Sequence, residues 1–179
     1  MLDNDLIRLF LPIISNGLAA YGYEGVVTKQ SNQPTQQGVN VGPTVYFYKV
    51  GDHRYGWLRR ASQWDPIAGT MTHTEMQMYE TKFSLSALVT ANPKITNTFT
   101  ASDLVNSCAA ILQSDMTLEI FAAANVGILR IEEISNPYFT DDRDQFEAAP
   151  AFDFTLTHRQ TRVTVDPVIS SFTTNIKRV

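Results

Sequence analysis

Three histidines and a run of carboxylates are the side chains of this sequence that could support chemistry. His73 and Glu75 are two positions apart, so on a β-strand both would lie on one face. A pair at this spacing can meet a metal ion, but a structural metal site needs further ligands. His53 and His158 are distant in the sequence. We therefore expect no metal site, and we interpret His73 and Glu75 as solvated strand residues and His158 as a half-buried packing residue.

Carboxylates crowd the segment 136–158, NPYFTDDRDQFEAAPAFDFTLTH, just ahead of an alternating apolar run. The charged residues are Asp141, Asp142, Arg143, Asp144 and Glu147. Their spacing does not match a calcium-binding EF-hand loop, and the central glycine of such a loop is missing. Two carboxylates could serve acid–base catalysis, but no neighbouring residues predict a pocket. The two interpretations that remain are a solvated surface and a subunit interface in which Arg143 pairs with a neighbouring chain.

No known catalytic motif is present. The sequence contains no Ser–His–Asp order, no Walker loop and no GxGxxG. The single cysteine, Cys108, excludes an internal disulfide and falls among apolar residues of a predicted helix, which is typical of a buried small hydrophobe. We expect no catalytic residue and no cofactor, which favours a protein that functions by assembly.

The overall composition limits the possible partners. The 179 residues suit a single domain, 1–179, and the net charge of −4 with a pI of about 5.3 argues against tight DNA binding. No block rich in lysine and arginine occurs. The first apolar run is interrupted by Arg8 and Pro12, so it predicts neither a signal peptide nor a membrane span. A cytoplasmic site of synthesis is the default expectation.

The first half of the chain predicts one helix followed by strands. Residues 3–21 have an amphipathic pattern that Asp3 could cap and Pro12 could kink or split. Residues 30–42 are nearly all polar, glycine or proline, which predicts a flexible loop. The flanking β patterns are 25–30, 43–50 and 55–64, and GDHRYG at 51–56 is typical of a turn.

Residues 71–91 give the longest β pattern, with a change of parity inside it. Tyr79, Thr81 and Phe83 fall on one face, whereas Met76 and Met78 fall on the other. A one-residue slip exchanges the two faces of a strand, so we predict a bulge near Met78 and Tyr79. A strand of this length exceeds the usual range and is expected to project beyond its own sheet.

The second half predicts two helices and then further strands. Thr100 and Asp103 have the spacing of a capping box before a helix, and a second helix spans about 115–125. GILRIEEI, FDFTLTH and TRVTV follow as β patterns. The order predicts an α+β fold, with an antiparallel or mixed β-sheet, helices packed on one face, and an extended β-hairpin or loop arm.

The second half resembles the neck and tail-terminator proteins of tailed bacteriophages. The resemblance rests on the helix ending in LQS, the glycine before ILRI, the DDRDQFE loop and the FDFTLTH strand. It implies a homo-oligomeric ring, typically hexameric, in the neck of the virion. Such a ring caps the tail tube, with sheath proteins as possible further neighbours, and meets the head connector or collar proteins. Genomic DNA passes through it without tight binding, and no membrane is involved.

Two other functions stay open at this stage. The chain could be a different head–tail joining or tail-tube component, which would also assemble into a ring or stack. It could instead be a small-molecule-binding protein, which would have a compact pocket and a stable monomer or dimer. Under the resemblance, the DDRDQFE loop becomes the predicted contact between subunits.

Overall fold

The chain folds into a helical layer on one side of a long, twisted β-sheet. This computed structural model describes residues 1–30, 42–89, 98–140, 146–148 and 150–167, without the side chains of 138–140 and 146–148. The helices are α1 (Asp3–Ala20), α2 (Ala101–Leu112) and α3 (Asp115–Ala123). The strands are β1 (Val27–Gln30), β2 (Thr44–Asp65), β3 (Thr70–Leu88), β4 (Val126–Ile128), β5 (Tyr138–Thr140), β6 (Phe146–Ala148) and β7 (Ala151–Pro167).

The main sheet has the strand order β1-β2-β3-β7-β4, and β5 pairs with β6 in a separate two-stranded sheet. β1 runs parallel to β2, and the other neighbouring strands are antiparallel. The predicted α+β class with a mixed sheet is therefore confirmed. β3 pairs with β7 without interruption from Thr70 to Ser86, so the two strands form one continuous ladder.

The hydrophobic core lies between α1, α2 and one face of the sheet. Leu6, Phe10, Ile14 and Leu18 recur every four residues along α1 and are fully buried. The Phe10 ring centre lies 5.3, 5.1 and 5.4 Å from the ring centres of Phe47, Phe83 and Phe154. Such edge-to-face clusters add to the free energy of apolar burial. This cluster fixes α1 across the three central strands.

The helix starts follow the polar signals of the sequence, with one correction. The backbone N–H of Leu2 donates to Asp5 Oδ2 at 3.0 Å, so Asp5 caps α1, whereas Asp3 pairs with Lys49. At α2, Thr100 and Asp103 form the predicted reciprocal box, with bonds of 2.8 and 3.1 Å. α1 continues as one helix through Pro12.

The strands of the first half differ from the prediction in two places. GDHRYG does not turn the chain: it lies inside β2, which continues to Asp65 and carries irregularities at Lys49/Gly51 and Tyr55/Arg59. The bulge predicted near Met78 in β3 lies instead in β2, opposite Met76 and Met78.

The later strands also differ in length from the prediction: β4 is shorter and β7 is longer. Of GILRIEEI, the structure places only Gly127 and Ile128 in a strand, β4. FDFTLTH and TRVTV join into the single strand β7. The predicted flexible loop at 30–42 falls, apart from Gln30 and Gly42, outside the described residues.

Candidate assembly surface

Three strands extend past the helical layer as an arm. We define the arm as Arg54–Asp65 of β2, Thr70–Tyr79 of β3 and Arg159–Pro167 of β7. At about 3.3 Å per residue, the β3 part spans roughly 30 Å. All the arm residues of β2 and β7 are exposed to solvent, and those of β3 are at best half-buried. The predicted projection of the long strand is therefore present, and it consists of three strands.

The arm has two chemically different faces. Paired residues in neighbouring antiparallel strands point to the same side, so the register assigns each side chain to a face. The helix-side face continues the side that carries Phe83 and Leu85 in the core. The open face continues the opposite side, on which Met78 pairs with Tyr55 and Arg159.

The acidic side chains on the helix-side face of the arm are paired within the chain. Arg60 Nε lies 3.2 Å from Glu75 Oε1, and Arg162 is the register partner of Glu75 on the other side. His73 Nε2 lies 3.5 Å from Asp166 Oδ2, while its Nδ1 shares a hydrogen bond of 2.8 Å with the Ser62 hydroxyl. These exposed contacts contribute little to stability. The remaining arginine of this face, Arg54, lies 5.9 Å from the centre of the Tyr79 ring.

The open face of the arm is apolar, with arginines at its border. Tyr55, Met78, Val163 and Val165 are between 41% and 61% exposed there. Arg59 and Arg159 lie on the same face by register, and within the described part of the chain neither side chain has an ion pair. An exposed apolar stripe on a projecting sheet marks a contact surface.

Two segments of irregular backbone expose apolar side chains: the bulge of β2 within the arm, and the turn at 66–69 that joins β2 to β3 at the arm tip. In the β2 bulge, Trp57 is 98% exposed, and the Gln77 amide secures the bulge by donating to the carbonyl of Tyr55 at 2.9 Å. At the arm tip, Ile67 is 98% exposed. The tip turn is fixed because Asp65 Oδ1 accepts from the backbone N–H groups of Ile67 and Ala68 at 2.9 and 3.1 Å.

A polar cluster joins the arm to the core. Thr81 donates its hydroxyl hydrogen to Asp52 Oδ1 at 2.7 Å, so its oxygen accepts from His158 Nε2 at 2.9 Å. This arrangement assigns the proton of the neutral imidazole to Nε2. The other ring nitrogen, Nδ1, is buried, and no described group makes a hydrogen bond to it. His158 is therefore fully buried rather than half-buried as predicted.

Burial and neighbouring charges shift the pKa values of three groups in this cluster. Burial lowers the pKa of His158, with the N-terminal ammonium acting in the same direction and Asp52 opposing it. Burial alone would raise the pKa of Asp52, but hydrogen bonds from Lys49 and Thr81 lower it overall. Burial also opposes the charge on Lys49, yet its bonds of 2.7 and 2.6 Å to Asp3 and Asp52 raise the pKa of Lys49. The cluster is thus held with a neutral imidazole and charged partners.

The structure keeps the other chemistry-bearing residues apart. His53 Nδ1 lies 3.5 Å from Glu80 on the open face, His73 is in the arm, and His158 is in the junction cluster. Cys108 is buried in α2, where burial raises its pKa to about 12. Among the described residues, no three histidine, cysteine or carboxylate side chains group as metal ligands.

None of the described helices is long and apolar enough to cross a membrane.

The predicted interface loop lies mostly outside the described residues. Asp141, Asp142, Arg143 and Asp144 lie outside the described residues, in the segment that connects β5 to β6. Glu147 lies in β6 with its backbone opposite Phe139, and its side chain is not described. The sequence predicted that the strand at 71–91 projects, but not that β2 and β7 extend beside it. A signal of the open face was present: Met76 and Met78 have the opposite parity to the core residues of β3 because they lie on the open face.

Comparison with known proteins gives one family. A family model described as E217 gateway protein gp29 matches residues 5–167, which include α1 from Asp5 onward, the other two helices, the main sheet and the arm. No curated protein matches the chain.

Proposed function

The chain belongs to the family of the E217 gateway protein gp29, structural proteins of the bacteriophage head–tail junction, and from this premise we propose its assembly. It forms a closed ring of six copies at the end of the tail tube, after synthesis in the host cytoplasm. The ring terminates the tube on one side and meets the head connector or collar proteins on the other. DNA passes through the hole, and sheath proteins are neighbours where the tail is contractile.

The arm is the observation that carries this proposal. It holds both tryptophans of the chain, Trp57 and Trp64, three of the five methionines, and five arginines, but no lysine. Protein interfaces are enriched in aromatic residues, methionine and arginine and depleted in lysine. The arm also contributes little to the chain's own core. Its composition is therefore best explained by burial against other subunits.

The charge distribution supports a ring around DNA. The arm contains five arginines and three acidic residues (Asp65, Glu75 and Asp166), a net charge of +2. Because the whole chain has a net charge of −4, the residues outside the arm have a net charge of −6. An acidic body repels phosphates, which suits a passage through which DNA slides without binding. The basic residues are concentrated where we propose that subunits meet.

The proposal includes no catalytic role. The three histidines lie in separate places, each beside a polar or acidic side chain of its own strand neighbours. The Cys108 thiol is buried and its raised pKa keeps it protonated, so it is a poor nucleophile. These groups are accounted for by packing and surface contacts.

The mass of the purified protein tests the proposal. We expect a species of roughly 120 kDa, six times the chain mass of 20.0 kDa, which negative-stain images show as a ring with a hole. A matched variant replaces residues 56–77 by Asn-Gly, so that a two-residue turn joins Tyr55 and Met78, which pair in β2 and β3. This variant should fold, as judged by circular dichroism, and remain a monomer. A single-copy mass for the native chain at every concentration from micromolar to millimolar would refute the ring.

A further inference from the structure

The helical layer carries an open apolar groove at the edge of the hydrophobic core. It has a volume of about 630 Å³ and lies between α1 and α3, and its apolar lining includes Leu9, Pro12, Ile13, Ile111, Met116 and Ile120. Met116 is 73% exposed, although it lies on a helix whose Phe121 is fully buried. Apolar side chains in an open groove are typical of a surface that another molecule covers.

The α3 side of this groove is acidic, whereas the α1 side has the exposed Arg8 next to Leu9. Asp115 and Glu119 are exposed on α3, one position before Met116 and Ile120 respectively. α2 and α3 together contain three acidic residues and no lysine or arginine. The groove therefore combines an apolar floor with negative charge along one helix, and it fits an apolar surface bordered by cations.

The open face of the arm has the complementary pattern. Its centre is the apolar set Tyr55, Met76, Met78, Val163 and Val165, and its charged residues at mid-length and root are Arg59 and Arg159. Of the three acidic residues of the arm, Glu75 and Asp166 lie on the other face, where they are paired, and Asp65 lies on the open face only at the tip, where it holds the turn. Charge complementarity of this kind selects a partner and sets its orientation.

One copy cannot bring the two surfaces together. The open face belongs to the sheet and points away from the helices, whereas the groove is in the helical layer. A contact between them must join two copies, and because the two surfaces differ, the contact is heterologous. Heterologous contacts produce closed rings when the rotation between copies closes.

We propose that the open face of the arm of one copy docks in the α1–α3 groove of the next copy. This assignment rests on the proposed ring and names the surfaces that build it. The occupant is a second copy of the chain, with Arg59 and Arg159 facing the Asp115 and Glu119 side of the groove. The apolar centre of the arm face covers Met116 and Ile120.

Single substitutions on each surface test the assignment. Ile120→Asp and Met78→Asp each place a charge in one of the two surfaces, at exposed positions outside the core. Each variant should fold and should raise the concentration for half-assembly by roughly tenfold or more, the effect expected of losing one buried anchor. The matched control is Leu118→Asp, because Leu118 is exposed on α3 but does not line the groove. It should assemble as the native chain does.

Mixing the two defective variants distinguishes this contact from others. The Ile120→Asp copy retains a working arm, and the Met78→Asp copy retains a working groove. An equal mixture should therefore give a dimer of twice the chain mass, by analytical ultracentrifugation, and no ring. If native chains form rings and Ile120→Asp forms them equally well, the groove assignment is wrong while the ring proposal stands. If Met78→Asp forms normal rings but Arg59→Glu loses retention of duplex DNA in a filter assay, the arm face is a DNA surface instead.

Discussion

The central strands β2, β3 and β7 each have two halves, a core half and an arm half, which differ in how their side chains are buried. In the core half, alternate residues such as Phe83, Leu85 and Phe154 are buried beneath α1 and α2, and the other residues are mainly polar. In the arm half, both faces meet solvent, and apolar residues lie on the open face and also, at Trp64 and Met71, on the helix-side face. Burial within one chain explains the first half, because the apolar area removed from water stabilises the fold. For the second half, which burial within one chain does not explain, we propose burial against another molecule.

Substitution of one aromatic residue from each half gives the largest expected contrast. Phe10→Ala removes the ring that contacts Phe47, Phe83 and Phe154, so the free energy of unfolding should fall by about 3–5 kcal/mol. Trp57→Ala removes a side chain that is 98% exposed and should change it by less than about 0.5 kcal/mol. Urea denaturation of dilute monomers measures both. A cost for Trp57→Ala near that of Phe10→Ala would mean that the arm belongs to the fold.

Two threonines of the same strand sharpen the contrast. Thr81→Val removes the hydroxyl between Asp52 and His158 and leaves polar groups without that partner, so it should cost about 1–3 kcal/mol. Thr74→Val is the control, because Thr74 lies in the arm on the open face and valine suits a strand. Its effect on the monomer should be within about 0.5 kcal/mol. Equal costs for the two variants would remove the distinction between the junction cluster and the arm.

The junction cluster should also make stability depend on pH. The folded-state pKa of His158 is lowered below its ordinary value of 6.5, so the unfolded chain takes up a proton at a higher pH than the folded chain. The stability of the fold should therefore fall as the pH decreases through 6.5 towards the lower folded-state value. Urea denaturation of the native chain and of His158→Gln, between pH 7.5 and about 5.5, isolates this effect. If the free energy of unfolding of His158→Gln depends on pH as steeply as that of the native chain, other groups cause the dependence.

The smallest expected effect concerns the start of α2, far from the arm. Asp103 accepts from the backbone N–H of Thr100 at 2.8 Å, and that bond lowers the pKa of Asp103. Asp103→Ala should cost about 1 kcal/mol in stability and leave assembly unchanged. If Asp103→Ala prevents assembly although it changes stability so little, the expectation is wrong, and the position of α2 affects the interface between subunits.

Sequence patterns predicted the core half of the molecule well. The four-residue repeat of α1, the Thr100–Asp103 box and the alternation in FDFTLTH each reflect burial within one chain, and each element formed as predicted. These patterns depend on neighbours close in sequence or on a single buried face. The α+β class follows from them.

The arm was harder to predict because its partners are not in the chain. GDHRYG resembles a turn, but pairing with β3 and the positive φ of Gly56 accommodate it as a bulged strand. Met76 and Met78 looked like evidence for a bulge in β3, since a core-facing strand would not change parity. The ladder to β7 is unbroken, so the two side chains mark the open face. The five arginines come from two strands that are distant in the sequence, β2 and β7, which hides their clustering from a search for basic runs.

The most direct test of the arm as an assembly surface is the exposure of Trp57 during ring formation. Trp57 and Trp64 are the only tryptophans in the chain, so in a Trp64→Phe variant the tryptophan fluorescence reports on Trp57 alone. The account predicts that acrylamide quenching of Trp57 is strong in dilute monomers and decreases over the same concentration range in which the mass rises to that of the ring. Strong quenching that persists in fully assembled rings would contradict it.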